Sequence, residues 1–517
     1  MDVRHPYLTR QLIAYIGNKR SLLPFLEPVF SELSRRRTVT RFSDPFAGSG
    51  AVARLAKYLG FAVEAGDSEH YSWVLNAAAL EVDASERDRL FPDLGGPEAA
   101  FDHFRAIGEA AASVAGPAAD RRGRAGTSET PAAGASNAGA PAAGYISRHF
   151  APERTETADY RRERLFYTAE NARYIDAVRD ALEERYPGWN LSERKRKEKL
   201  LLLAALLYEA ATHANTSGVF KAYHKGFGGH GRDALGRIMS PVHLEMPELI
   251  DGAASCRAHQ ADAAELLRGR PVDLVYLDPP YNSHQYGSNY FMLNTIARWD
   301  KPPVSTERGA DGRLLHKAGI REDWRATRSD FCSPRRAEEA FARVLDAIDA
   351  RFIVLSYSTD GIVPLERIVD MLSDRGEVEL FATDYVQYRG GRQSLSRATR
   401  NVEFALAVTT GERRKPGTGA RPAGATVDSG AAVASGVALN SGAAPGREEA
   451  LARIRRFLLE QRVASLLRES YVPERVREAF ETEGDYLVIE SDARLEMPRL
   501  FRFATDAVMP PGLGFWE

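Results

Sequence analysis

Apolar residues in this chain gather into runs of two lengths. The short runs are Leu274–Leu277 in PVDLVYLDPPY (271–281), FAVEAGD (61–67), RFIVLSYST (351–359), NVEFALAV (401–408) and the lead into DPFAGSG (44–50). Each is strand-sized, and each is followed by turn residues or an acid. The longer runs carry helical spacing: the stretch from Ala51 after the glycine turn, Leu22, Leu23, Phe25 and Leu26 near the N-terminus, and LLLLAALLYEAA (200–211). Strands alternating with helices predict an α/β protein with a doubly wound sheet, its functional turns at the C-terminal ends of the strands. The run 200–211 reads as a buried helix, with RKRKEK (194–199) as its exposed start.

Two stretches break this rhythm. Residues 110–144 and 411–446 are Ala, Gly, Ser and Pro with almost no large apolar residue, a composition that cannot offset the entropy of ordering. The first reads as a flexible part of an insertion and the second as a disordered linker. The expected layout is a main α/β domain from 1–83 and 255–410, an inserted and mainly helical region at 84–254, and a small α+β appendage at 447–517 without an assigned role. The appendage opens on a helical pattern and carries 11 basic against 14 acidic residues, which argues against it as a grip on a polyanion.

With 517 residues the chain has room for two or three units, and a net charge of −2 neither announces nor excludes a nucleic-acid partner. Two cysteines, Cys256 and Cys332, lie far apart and outside any metal-ligand spacing, so neither a disulfide scaffold nor a metal site is expected. The absence of a membrane-length apolar run or an apolar leader adds the expectation of a cytoplasmic protein.

Candidate chemistry sits at the strand ends. Gly48 and Gly50 let the backbone turn sharply and approach a ligand. No GKS or GKT follows, which removes the P-loop reading. Asp67 ends the next strand-like run, where a carboxylate can hold ribose hydroxyls or serve the following helix as an N-cap. On their own, Tyr15 reads as a core aromatic and Lys19 as a solvated charge. Asp278, Pro279, Pro280 and Tyr281 end the most apolar strand. Prolines bring carbonyl acceptors without amide donors, Asp278 adds a further acceptor, and Tyr281 offers a ring on which a heterocycle can stack. An amino group held by both hydrogens there could attack a methyl carbon.

AYIGNK, DPFAGSG and DPPYNSHQYGSNY, in that order, resemble the N-terminal, cofactor and catalytic motifs of adenine-specific DNA methyltransferases of the Dam-like alpha group. The longer form of the last motif is similar to the modification enzymes of FokI-type restriction systems. The resemblance covers residues 10–410. It implies a Rossmann-like fold, S-adenosylmethionine as methyl donor and an everted adenine of double-stranded DNA as acceptor. By the same resemblance Tyr15, Lys19, Asp44, Phe46, Gly48, Gly50, Asp67 and Asp262 contact the cofactor, although Ala263 stands where the family has Phe. Asp278, Pro279, Pro280 and Tyr281 are its catalytic residues, and a separately encoded restriction endonuclease is the implied partner. Cytosine carbon-5 chemistry lacks its Pro-Cys nucleophile here. Cytosine N4 and protein-glutamine enzymes begin this motif with Ser and Asn. A ribosomal RNA methyltransferase and an inactive nucleic-acid-binding protein of the same fold remain as alternatives.

Extruding an adenine requires a hold on the polynucleotide. From 145 to 237 there are 17 basic against 13 acidic residues, and HANTSGVFKAYHKGFGGHGRDALGR (213–237) interleaves Lys221, His224, Lys225 and Arg232 with Tyr223 and other rings. These residues, with Arg389 and Arg392 in YVQYRGGRQ, are the expected DNA contacts.

Overall fold

A computed structural model describes residues 3–114, 144–229, 231–232, 234–358, 361–381, 403–410, 437–438, 480–483, 486–490 and 500–504. Arg389, Arg392, most of the 110–144 stretch, nearly all of the linker and the helical pattern of the tail lie outside the described residues. The chain divides into two compact units, one of Met1–Arg20, Ala47–Ala263 and His284–Ser329, the other of Ser21–Phe46, Ala264–Ser283 and Asp330–Glu517.

In the second unit, β1 (Arg41–Asp44), β4 (Val272–Leu277) and β5 (Ala350–Ser358) pair in parallel, with Phe42 opposite Leu274 and Leu274 opposite Phe352. Every residue of β4 is buried, which explains why its sequence reads as an uninterrupted apolar run. Its one acid, Asp273, accepts from the Thr40 and Arg41 amides at 2.8 and 2.9 Å and pairs with Arg351, so the start of β1 is pinned to β4. These partners hold the Asp273 carboxyl below the usual carboxylate range in spite of burial. β7 (Glu403–Thr410) runs antiparallel to β5, and β6 (Gly376–Phe381) antiparallel to β7. Val437–Ala438, the described part of the stretch read as linker, pairs with β6. Residues 480–504 contribute a three-stranded antiparallel sheet.

The first unit holds β2 (Ala62–Asp67) and β3 (Arg257–Gln260) in parallel, with Gly66 opposite His259. Among the described residues, β3, β6 and the short strand Val437–Ala438 lie beyond the strands expected from the sequence. β3 has a single buried residue, Ala258, and is fixed by polar partners instead: His259 contacts Glu64 at 2.5 Å and the Ala258 amide donates to Glu81 at 3.0 Å. Against these strands pack the helices Ala51–Tyr58 and His70–Glu81; Glu193–Thr212 packs on His70–Glu81, and Ala169–Arg185 on both Glu193–Thr212 and Pro97–Ala112. None of the helices among the described residues is long and apolar enough to cross a membrane.

The expected exposed basic start of the apolar helix is corrected by the structure. Glu193–Thr212 is one helix in which Lys197, Glu198 and Lys199 are already buried. Lys199, 1% exposed, donates to the Tyr186 and Gly188 carbonyls at 2.8 Å each and pairs with Glu183 at 3.0 Å. Lys197 reaches Glu86 at 2.6 Å. Each ammonium leaves water because acceptors from other segments replace its hydration.

Candidate active site

The first unit brings Tyr15, Gly48, Gly50 and Asp67 together. After β1 the chain turns at Gly48 (φ +51°) and Gly50 (φ +83°), both left-handed, and Gly50 heads the helix Ala51–Tyr58. A Cβ on Gly48 would meet the Tyr15 ring at 2.8 Å, and one on Gly50 would meet Asn76 Oδ1 at 2.7 Å. Close approach and φ thus both demand glycine at these two positions. The Gly48 carbonyl accepts from Ser72 Oγ at 2.7 Å and its amide donates to Asp67 Oδ2 at 3.0 Å. Asp67 Oδ1 accepts from the Glu69 amide at 2.8 Å. The carboxylate therefore serves the turn ahead of the helix His70–Glu81, with the Ser72 hydroxyl and the Ser68 amide as further donors. Burial raises the Asp67 carboxyl against the pull of these donors.

Tyr15 is held by a clamp that the sequence did not disclose. Its ring stacks on Tyr286 and Tyr290, with centroids 5.1 and 4.8 Å apart. The Ile16 amide donates to the Tyr290 hydroxyl at 2.7 Å, and the Tyr286 hydroxyl donates to the Ile16 carbonyl at 3.1 Å. Both backbone polar groups of Ile16 are thereby grasped by the residues four apart in QYGSNY. Tyr71 donates to the Tyr15 hydroxyl at 3.4 Å, and burial with the nearby Tyr71 and Asp67 raises the Tyr15 phenol well above its usual range. Lys19 is 4% exposed, which corrects its reading as a solvated surface charge. Asp262 is exposed at the start of the short helix Ala263–Leu267.

Glu69 is a further residue that sequence reasoning passed over. It is buried, accepts from Asn294, and its carboxyl is pushed up to about 7 by burial and then by the charge of Asp67. The signal was its position two residues beyond Asp67, hidden because an acid in SEHY also suits a helix start.

The second unit holds Asp44, Phe46 and the DPPY turn. Asp44 is buried at the end of β1 and accepts from the Phe46 amide at 3.3 Å, while the Phe46 ring meets Phe331 edge-on at 5.2 Å. β4 ends at Leu277, and Asp278, Pro280 and Tyr281 are half-buried after it. The Tyr281 carbonyl accepts from the Ile362 amide at 3.0 Å, and its ring packs edge-on against Tyr357 at 5.8 Å. Tyr357 is fixed in turn by the Val363 amide, which donates to its hydroxyl at 3.1 Å. The chain beyond β5 therefore steadies the turn and leaves Asp278 partly open.

The basic loop is organised by Asn215. This fully buried side chain donates to the Leu165 carbonyl at 2.9 Å and accepts from the Gly228 amide at 3.2 Å. Lys221, Lys225 and Arg232 are exposed and His224 is half-buried. Tyr223 faces inward: its hydroxyl donates to the Tyr160 and Glu163 carbonyls at 3.3 and 3.1 Å, and its ring packs on Phe166.

Comparisons with known proteins agree on one class. Type II methyltransferase M.NlaIII of Neisseria lactamica is 29% identical over 382 residues, 73% of this chain and 93% of that protein. Type II methyltransferase M.CviAII of Paramecium bursaria Chlorella virus 1 is 27% identical over 394 residues, again 73% of this chain and 93% of its own length. Type II methyltransferase M.FokI of Planomicrobium okeanokoites is 29% identical over 228 residues, 44% of this chain and 32% of that protein. No solved structure matches. A family profile matches residues 15–112 and 142–321, more than half of the chain. The chain is a member of the D12 class of N6 adenine-specific DNA methyltransferases, with the Rossmann-like α/β fold of that family.

Proposed function

We propose that this protein transfers the methyl group of S-adenosylmethionine to the N6 amino group of an adenine everted from double-stranded DNA, at a specific site, as the modification partner of a separately encoded restriction endonuclease in the cytoplasm. The residues of the first unit suit such a donor. A carboxylate beside two glycines that admit no side chain fits a ribose, and the half-buried Tyr15 ring fits a cation, since aromatic faces attract positive charge. When bound, S-adenosylmethionine supplies an electrophilic methyl carbon on a sulfonium. Tyr15, Gly48, Gly50 and Asp67 are assigned to hold it, with Lys19, Asp44, Phe46 and Asp262 in supporting positions.

One observation carries the reading: a strand buried over its whole length releases a half-open carboxylate, Asp278, directly before two prolines and a braced tyrosine. The Asp278 carboxylate and the Pro279 carbonyl accept the two hydrogens of the adenine amine. That would leave the nitrogen lone pair for the methyl carbon, whose bond to the sulfonium the donor would give up as neutral thioether. One amine proton then leaves by way of Asp278 to water, and the product is a neutral secondary amine. Pro280 stiffens the turn, and Tyr281 stacks on the extruded base. Lys221, His224, Lys225 and Arg232 are assigned to phosphates. Replacing Asp278 by Ala should lower transfer to plasmid DNA by at least about 10²-fold with cofactor binding by calorimetry preserved. Parental turnover in that variant would remove Asp278 from the mechanism.

A further inference from the structure

A β-hairpin outside every predicted site lies on the same foundation as the basic loop. Arg308 bridges to Leu314, the Gly309 amide donates to the Arg313 carbonyl at 2.9 Å, and the Leu315 amide donates to the Glu307 carbonyl at 3.0 Å. The two leucines point opposite ways, Leu314 being 6% exposed and Leu315 60%. The hairpin is braced from below by Arg164. That buried guanidinium donates to four carbonyls: His149 at 3.2 Å, Ser305 at 2.6 Å, His316 at 2.9 Å and Lys317 at 3.0 Å. A buried cation whose donors converge on carbonyls of a surface hairpin fixes that hairpin in place, because release would strand several polar groups at once.

The strip 160–164 joins this hairpin to the basic loop. The Leu314 amide donates to the Arg161 carbonyl at 3.1 Å, and Tyr223 of the loop donates to Tyr160 and Glu163. Arg161 and Lys225 share the Tyr160 ring, at 5.0 and 5.8 Å from its centroid. Arg308, Arg313 and Lys317 of the hairpin are exposed, as are Arg161 and Arg162 of the strip. Two of the nearby carboxylates are engaged locally, Asp311 by Arg313 at 3.3 Å and Glu307 by His316 at 3.6 Å. Across loop, strip and hairpin the basic residues outnumber the acidic ones, in a chain whose net charge is −2.

We propose that the hairpin 305–317 is a second DNA-contacting element, with Arg313 and Lys317 on phosphates and Leu315 presented to the bases between them. The inference rests on the DNA methyltransferase reading above and extends it to residues outside the motifs. Apolar side chains standing between cations are suited to that task, since they cover unstacked bases while the charges neutralise the backbone.

The test uses the full chain and unmethylated linear plasmid DNA. Each phosphate contact contributes a slope of about −0.9 to log affinity against log salt, so binding weakens by about 3.5-fold per contact between roughly 50 and 200 mM. Arg313→Ala/Lys317→Ala should therefore make the loss over that range about 12-fold smaller than in the parent, with cofactor affinity unchanged. Leu315→Ala should raise the KM for DNA and leave the salt slope alone. A parental slope in the double variant, or a parental KM in Leu315→Ala, overturns the corresponding role of the hairpin. Failure of the parent itself to methylate DNA would overturn the functional reading instead.

Discussion

Replacing the hydroxyls of Tyr286 and Tyr290 tests whether the clamp on Ile16 sets up the cofactor site. Tyr→Phe at either position keeps the ring that stacks on Tyr15 and deletes one hydrogen bond, at 3.1 or 2.7 Å. A net hydrogen bond contributes about 1 kcal/mol, or roughly a 5-fold change in an equilibrium constant. Because the two hydroxyls hold the amide and the carbonyl of one residue, Ile16, the double variant should lose about 2 kcal/mol, roughly 30-fold. If this residue places Tyr15 over Gly48, the loss appears in the Kd for S-adenosylmethionine measured by titration calorimetry. Urea unfolding run in parallel reports how much falls on global stability. A double variant with parental cofactor affinity and lowered stability would refute the reasoning, since the clamp would then serve packing alone.

Alanine at Gly50 must adopt φ +83° and place a Cβ 2.7 Å from Asn76 Oδ1, so Gly50→Ala should abolish cofactor-induced thermal stabilisation, and Gly48→Ala should do the same through Tyr15. Glu69 has a folded pKa raised from 4.5 to about 7, so its contribution is complete below about pH 4.5 and is lost as pH rises through 7. The melting temperature should accordingly fall from pH 5.5 to pH 8, and Glu69→Gln should flatten that fall; an unchanged slope in the variant contradicts the assignment. Lys199→Ala leaves the Tyr186 and Gly188 carbonyls without their buried donor, while Glu183 keeps Arg179 at 2.9 Å, and should cost about 2 kcal/mol in urea unfolding, whereas the exposed Lys195→Ala should change stability by less than about 0.5 kcal/mol.

Strands whose stabilisation is apolar were legible. β4 is buried on both faces, so Leu274–Leu277 announces it, and β5 and β7 follow the same logic, while β2 sets buried Val63 and Ala65 beside half-buried Ala62 and Glu64. β3 was not legible, because RAHQ owes its place to Glu64 and Glu81, residues almost two hundred positions away. The basic start of the helix Glu193–Thr212 misled for a related reason: burial of Lys197 and Lys199 depends on Glu86 and Glu183, which no local pattern reveals. The glycine turn could be read because a backbone demand, φ > 0, leaves a residue type behind. The clamp by Tyr286 and Tyr290 could not, since two tyrosines four apart read equally well as helix packing. Tyr223 shows the converse, a ring set among cations that is spent on holding the loop. The hairpin 305–317 has no apolar period, and its brace, Arg164, is about 140 to 150 residues distant in sequence.

Transfer of a labelled methyl group decides the central claim most directly. The full chain should be incubated with methyl-tritiated S-adenosylmethionine, unmethylated DNA and, separately, ribosomal RNA, and the products digested to nucleosides. Label in N6-methyldeoxyadenosine, lost with Asp278→Ala, is the result the structure predicts; label confined to RNA, to cytosine or to neither nucleic acid would contradict it.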